Sequence, residues 1–295
     1  MRKIYDCFML FNELDLLEIR LKLYYEHVDH FVIVECNQSF VGKTKAFVFE
    51  ENKNRFKKYI DKIIYIKLEN ELVSDNFWDN EATHRNAITR GLNDANEDDI
   101  IFISDLDEFY DLKLLDREKT FDQVYKIEIP HHNYFINYKT NIIFNLTFVG
   151  TLQQIKKTNN TLDEIRKSED FRHIVYNPKE DKCAHMSYVF GWDIDVYIYK
   201  LNSFSHQEYN KKPYTSTKHI KHCLKFPTEI FMRSGTWIEY ISPEETMFAD
   251  LIDEYPHLFQ KETNFKPNNF SEWIFYLRRK LYKLTSKFIG KKFQV

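Results

Sequence analysis

Glycine is scarce in this chain of 295 residues: there are six, at Gly42, Gly91, Gly150, Gly191, Gly235 and Gly290, scattered one by one, against a usual share of ~7%. A GxGxxG dinucleotide fingerprint and a GxxxxGK[ST] phosphate loop both need clustered glycines so that backbone can approach a pyrophosphate. The scatter excludes both, so any nucleotide phosphate must be held by something else. The four cysteines, Cys7, Cys36, Cys183 and Cys223, form no CxxC pair and no finger spacing. That argues against a zinc knuckle or a dithiol centre and fits a reducing compartment. No apolar run reaches the ~18 residues of a membrane span, and the start MRKIYDCFMLFNELD lacks a small-residue cleavage site, so the expected location is the cytoplasm.

Acid is also missing from one end. From Trp273 onward the chain carries Arg278, Arg279, Lys280, Lys283, Lys287, Lys291 and Lys292 and no Asp or Glu, so the formal charge of -3 conceals an acidic body and a basic tail. Trp273, Ile274, Leu277, Leu281, Leu284 and Phe288 recur at helical spacing among those cations. Two readings of residues 273–295 stand side by side: a basic amphipathic helix in peripheral contact with an anionic membrane surface, or a helix capping the acidic body. With an acidic body and no recognised binding motif, nucleic acid is not an expected partner.

What is abundant is aromatic, 17% of residues, and most of it is expected to fill the core. Tyr134, Phe135, Tyr138, Tyr188 and Trp192 are candidates for stacking on a sugar. The first hundred residues alternate strand and helix signals. Strands are expected at Lys3–Leu10, His30–Glu35, Ile63–Lys67 and Asp99–Ser104. Helices are expected from Leu14 to Tyr24, capped by Asn12, and from Trp78 to Arg90, ended by Gly91 at C′. The expectation is an α/β fold with a mostly parallel sheet flanked by helices. After Tyr125 shorter strands are expected at Tyr125–Ile129, Tyr134–Tyr138, Asn141–Leu146 and Phe171–Tyr176, with a polar loop over Lys156–Asp170. Helices return at Asp193–Phe204, Pro243–Tyr255 and Phe270–Ile289. Residues 1–272 read as one elaborated catalytic domain.

The chemistry concentrates at Ser104-Asp105-Leu106-Asp107-Glu108, directly after the apolar run IIFI. In an extended chain Asp105 and Asp107 point the same way, at the carboxyl end of a strand, where open α/β sheets bind ligands. Two hard oxygen donors suit Mg²⁺ or Mn²⁺ shared with a substrate's phosphates. Arg85 and Arg90, on the helix before, are candidate partners for a phosphate or carboxylate.

Four ordered blocks carry a resemblance: KIYDCFMLFNELDLLEIRL; FVIVECNQSFVGKTKAFVFEENKNRF; HRNAITRGL with DDIIFISDLDEFYDL; and CAHMSYVFGWDIDVYIYKLNSFSHQEYN. The chain resembles glycosyltransferase family 17, the family of the β-1,4-mannosyl-glycoprotein β-1,4-N-acetylglucosaminyltransferase, from about Lys3 to Asn210. The resemblance implies a GT-A-like fold and an inverting, metal-dependent transfer of N-acetylglucosamine from UDP-GlcNAc to a glycan acceptor hydroxyl. Carried over, Asp105 and Asp107 bind the Mn²⁺ or Mg²⁺ and the donor diphosphate, and His185 is a further metal ligand. Glu35, Arg85 and Asn86 lie on the nucleotide side. Glu208 or Glu108 is the base; His206 is a structural partner of Glu208 or a second candidate ligand, and Glu108 can equally support the acids from behind. Around His185 the chain has Asp181-Lys182-Cys183-Ala184 and Val189-Phe190-Gly191-Trp192 where relatives are glycine-rich, which bears on the donor sugar pocket. The competing classes are a metal-dependent nucleotidyltransferase or phosphohydrolase, and a non-catalytic glycan-binding protein on the same fold.

Overall fold

The computed structural model describes residues 2–178, 182–233, 235–262, 265–286 and 293–294. The chain divides into two compact units, one of Met1–Ile129 with Asn145–Asn177, the other of Pro130–Phe144 with Pro178–Val295.

In chain order the first part runs β1 (Ile4–Leu10), α1 (Leu14–Tyr24), β2 (His30–Cys36), the single-turn α2 (Val48–Glu51), β3 (Ile63–Leu68), α3 (Phe77–Asn86), β4 (Ile100–Asp105) and the two-residue β5 (Glu108–Phe109). There follow β6 (Tyr125–Ile127), β7 (Ile129–Asn133), β8 (Tyr138–Phe144), β9 (Phe148–Thr151), α4 (Leu152–Lys157), α5 (Leu162–Lys167) and β10 (Arg172–Ile174). The first unit's sheet has the order β10-β6-β9-β4-β1-β2-β3. β1 is parallel to β2 and β4, and β2 to β3, as the alternation of strand and helix signals predicts. β9 is antiparallel to β4 and to β6, so the sheet is mixed. A parallel neighbour needs a long crossover, usually a helix, and no α-helix lies between β4 and β9.

The core of this unit is built from the continuous apolar runs. Cys7, Val32, Val34, Ile101 and Ile103 pack with Ile88, Leu92, Ile155 and Ile165. α3 begins as its sequence dictates, with Asn76 accepting the Trp78 N–H at 3.2 Å. It ends at Asn86, however, and continues as a 3₁₀ helix over Ala87–Leu92. Gly91 is therefore not a C′ residue. Its reason is proximity, since a Cβ there would lie 2.3 Å from Val32 Cγ1. Asn12 does not cap α1 either: Glu13 occupies the cap position, and its carboxylate accepts the Asn12 N–H at 3.0 Å.

The largest departure is in the segment expected to be a polar loop. Residues 162–167 form α5, closed by a capping box in which the Thr161 hydroxyl accepts the Glu164 N–H and the Glu164 carboxylate accepts the Thr161 N–H. Its buried Leu162 and Ile165 enter the core. A short amphipathic turn with mostly charged residues outside has the composition of a loop, and only the capping box betrays it.

In the second unit β11 (Ala184–Ser187), α6 (Ile194–Leu201), α7 (Thr217–Lys225), β12 (Ile238–Tyr240), α8 (Phe270–Ser286) and β13 (Phe293–Gln294) follow. Strands run β12-β8-β7-β11, with β13 beside β8; β11 is parallel to β7 and β12 antiparallel to β8. Residues 134–137 of the strand expected at Tyr134–Tyr138 form a bend and turn between β7 and β8, with Tyr134 at φ 71°, and only Tyr138 belongs to β8. Pro243–Tyr255 holds only 3₁₀ turns, and α7 was not expected. Tyr134, Phe135, Tyr138 and Tyr188 are buried together with Tyr197 and Phe231, so four of the five stacking candidates are core. Among the described residues no helix is long and apolar enough to cross a membrane.

Candidate active site

β4 carries Ser104 and Asp105 to its carboxyl end, and Leu106–Asp107 form the turn into β5. The two acids are thus presented by a tight turn, not by the extended chain that spacing alone predicts. The cause is Arg20. Its fully buried guanidinium reaches across from α1, where Nη1 donates to the carbonyls of Asp105 (3.2 Å), Leu106 (3.1 Å) and Glu108 (2.8 Å). Nη2 donates to Ser104 Oγ at 2.6 Å. Nε and Nη2 also hold the buried Asp6 of β1 in a two-pronged ion pair, at 2.8 and 2.6 Å. Burial alone would lower the Arg20 pKa, but the Asp6 carboxylate more than reverses this and raises it. The Tyr110 hydroxyl donates to Asp6 at 2.7 Å, while the Tyr24 hydroxyl donates to the Tyr110 carbonyl and accepts its N–H. One buried cation therefore fixes the backbone of the whole turn.

Two further arginines fix the side chains of Asp105 and Glu108. Asp105 Oδ1 accepts from Arg85 Nη2 at 3.2 Å, and Oδ2 accepts from Arg166 Nη2 at 2.6 Å. Arg85 also binds Glu81 at 2.9 Å and, more closely, Asp163 at the start of α5. Arg166 grips Glu108 through both Nη atoms, at 2.7 and 2.9 Å. For both arginines burial opposes the charge and the neighbouring carboxylates, Asp105 first, raise the pKa. Beside them the Lys126 ammonium, pulled down to about 8 by burial and then by Arg166, donates to the Arg166 carbonyl.

Glu108 is 1% exposed. Besides Arg166 it accepts the Thr147 hydroxyl at 2.6 Å and the Asp105 N–H at 2.9 Å. An acid held in this way positions the turn. Asn86 serves the same frame, its Oδ1 accepting the Asp163 N–H at 3.0 Å. Glu35 is equally committed: fully buried, it accepts Lys45 Nζ (2.8 Å), the N–H groups of Val48 (2.6 Å) and Phe49 (3.1 Å) and the Tyr65 hydroxyl (2.8 Å). It caps α2 and ties down the segment after β2. Arg90 pairs with Glu71 at the surface.

The remaining sequence candidates belong to the second unit. His185, on β11, is edge-on to Phe144 and His131, with centroids 4.5 and 5.5 Å away. Glu208 lies in a short 3₁₀ turn with its carboxylate half-exposed, 2.6 Å from His206 Nδ1. Its slight burial would raise its pKa, but the hydrogen bond from His206 lowers it. Trp192 is half-exposed and lines a cleft of about 510 Å³ with Lys218, Lys221, Lys225 and Glu272.

Sequence reasoning missed Arg20, Arg166 and Asp163. The signal for Arg20 was its place on α1: Leu17, Leu21 and Tyr24 share its face and are buried with it, so it is a charge on an apolar stripe facing a lone acid in a buried strand.

His84, next to Arg85, yields a pH prediction. Its Nε2 lies 3.1 Å from the Val34 carbonyl, which only accepts, so Nε2 bears the proton. Burial lowers its pKa to about 4. Between pH 6.5 and about 4 the unfolded chain takes up a proton that the folded chain refuses, so stability falls as pH falls through that window. His84→Gln should lose this share of the acid sensitivity. Urea midpoints at pH 7 and pH 5 should therefore differ less for the variant than for the parent; an equal difference would remove His84 from the account.

Asp105 keeps 31% of its side chain exposed despite both arginines, each carboxylate oxygen has a second lone pair, and Asp107 stands two residues on in the turn. Among the described residues no group of three or more His, Cys, Asp or Glu is arranged to hold a metal. Asp105 and Asp107 are the residues of this turn that could hold a Mg²⁺ or Mn²⁺ together with a substrate's phosphates.

No curated protein matches the chain in comparison. The family model described as glycosyltransferase family 17 matches residues 1–267.

Proposed function

Since the chain belongs to glycosyltransferase family 17 and is an N-acetylglucosaminyltransferase-like enzyme, we propose that it moves N-acetylglucosamine from UDP-GlcNAc to a glycan hydroxyl with inversion, on a GT-A-like fold. The observation that carries this reading is the acid-bearing turn after β4, its backbone pinned by Arg20 and its Asp105 and Glu108 carboxylates by Arg85 and Arg166. Such a turn is a preorganised receptor for charge, and in a chain without glycine loops it takes the place of a phosphate cradle.

In the transfer, the acceptor hydroxyl loses its proton as its oxygen attacks the anomeric carbon. The bond to the diphosphate breaks on the opposite face, and UDP departs with the electron pair. Asp105 and Asp107 would hold Mn²⁺ or Mg²⁺, which when bound supplies a Lewis acid for the leaving diphosphate. Arg85 and Arg166 hold Asp105 in one orientation, and Glu108 holds the turn through Arg166, Thr147 and the Asp105 N–H. With Glu108 committed, Glu208 is the candidate base, because its carboxylate is open to solvent. Carboxylates of this kind contribute on the order of 10²–10⁴-fold to rate.

Thermal unfolding with a panel of UDP- and GDP-sugars and Mn²⁺ tests the donor. UDP-GlcNAc at about 100 times its Kd should raise the Tm by on the order of 5 °C, and GDP-sugars should not. No shift with any nucleotide sugar would sink the reading.

A further inference from the structure

The basic helix α8 does two things at once, one on each face. On one face it packs into the second unit. Glu272 takes Lys225 at 2.9 Å, Phe275 lies against His222 and His219 with centroids 4.9 and 5.6 Å away, Tyr276 meets Phe226, and Arg278 Nη2 donates to the Met232 carbonyl at 2.8 Å. The other face carries a stripe of large apolar side chains that are about half-exposed or more: Phe270 81% exposed, Trp273 48%, Ile274 51%, Leu277 50% and Leu281 58%. Their spacing of three, four and seven places them within roughly a 100° arc. At the same ~100° per residue, Arg278 falls on one edge of that arc and Lys280 on the other, Lys280 lying 4.6 Å from the Tyr276 ring. The sequence continues the pattern with Leu284 and Phe288 among Lys283, Lys287, Lys291 and Lys292; the side chains of Lys283 and Leu284, and all of Lys287, Phe288, Lys291 and Lys292, lie outside the described residues.

We infer that this stripe seats on an anionic lipid surface, with α8 lying in the plane of the interface and held to the protein by its opposite face. Charge decides the occupant. Every formally charged residue from Trp273 onward is a cation, and basic residues flanking a stripe of Trp, Ile and Leu are the arrangement by which a helix rests between acyl chains and acidic headgroups. A second copy seated stripe to stripe would bring like cations together across a two-fold axis. The two expectations for this helix, membrane contact and capping of the body, are thus assigned to different faces of one element. The inference rests on α8 alone and is independent of the sugar transfer.

The test is co-sedimentation of the full chain with vesicles of phosphatidylcholine alone and of phosphatidylcholine with 30% phosphatidylserine, in low and high salt. Binding is expected to the anionic vesicles, to weaken about tenfold or more in 0.5 M salt, and to be nearly absent on the neutral ones. Brominated lipid should quench fluorescence that Trp273→Phe removes. The paired change Ile274→Asp with Leu277→Asp, on the exposed stripe, should reduce vesicle binding about tenfold or more while leaving the thermal midpoint within a few degrees. Binding by that variant equal to the parent, no binding to anionic vesicles, or a dimer that the paired change dissolves without any vesicle binding would each overturn the inference.

Discussion

Arg20→Ala is expected to destabilise the chain by about 3–5 kcal/mol, the cost of stranding one partner of a buried ion pair, and to abolish turnover in whatever fraction folds. The partner stranded is Asp6, fully buried on the interior strand β1, with the Tyr110 hydroxyl as a further donor. Ser104 and the carbonyls of Asp105, Leu106 and Glu108 lose a donor at the same time. Because a protein that merely unfolds says little about the turn, the informative comparison is the apolar pair Asp6→Leu with Arg20→Met. Replacing both charges removes the stranded carboxylate and should restore part of the stability, as buried pairs generally allow. It does not restore the donors to the three carbonyls. Stability and turnover should therefore separate: a higher urea midpoint than Arg20→Ala, but transfer still depressed by about 10-fold or more. Recovery of both together would mean that Arg20 supports the fold and nothing else.

Asp105→Asn and Asp107→Asn should do the reverse, leaving the fold and removing the chemistry. Asp105 is partly open, and its loss leaves Arg85 with Glu81 and Asp163 and Arg166 with Glu108. Discounted for that exposure, its contribution to stability is expected to be only about 1–2 kcal/mol. Turnover should fall on the order of 10²–10³-fold, the usual effect of removing one preorganised group that stabilises transition-state charge. An amide keeps the shape of a carboxylate but not its charge, so the affinity for Mn²⁺ in the presence of UDP should fall with the turnover.

The parts of this architecture that were legible in the sequence are those where one residue type decides. FVIV and IIFI read as buried parallel strands because both faces of such a strand are covered, and they are β2 and β4. The acids after IIFI stand at the end of that strand as expected. What escaped is what depends on a partner far along the chain. The turn at Leu106–Asp107 follows from Arg20, some 86 positions away, and no local spacing encodes it. α5, with Asp163 and Arg166, was hidden because its outward residues have a loop's composition; the Thr161 and Glu164 capping box was the readable clue. Glu35 and Glu108 stand in matching blocks, but the hydrogen bonds that occupy their oxygens come from residues far along the chain, such as Tyr65 and Thr147, and no local pattern shows them. The aromatic excess proved mostly core, with Trp192 half-exposed beside a cleft and Trp273 in a stripe of its own.

The central claim is that the turn bearing Asp105 and Asp107 carries a sugar transfer. It is tested most directly by measuring UDP released from UDP-GlcNAc in the presence of Mn²⁺ and a panel of simple glycoside acceptors, with the parent chain and Asp107→Asn side by side at equal folded concentration. Release by the parent, increased by one or more acceptors and lowered on the order of 10²–10³-fold in the variant, is the predicted result. Equal release by both proteins, or none by the parent while its thermal midpoint responds to UDP-GlcNAc, would contradict it.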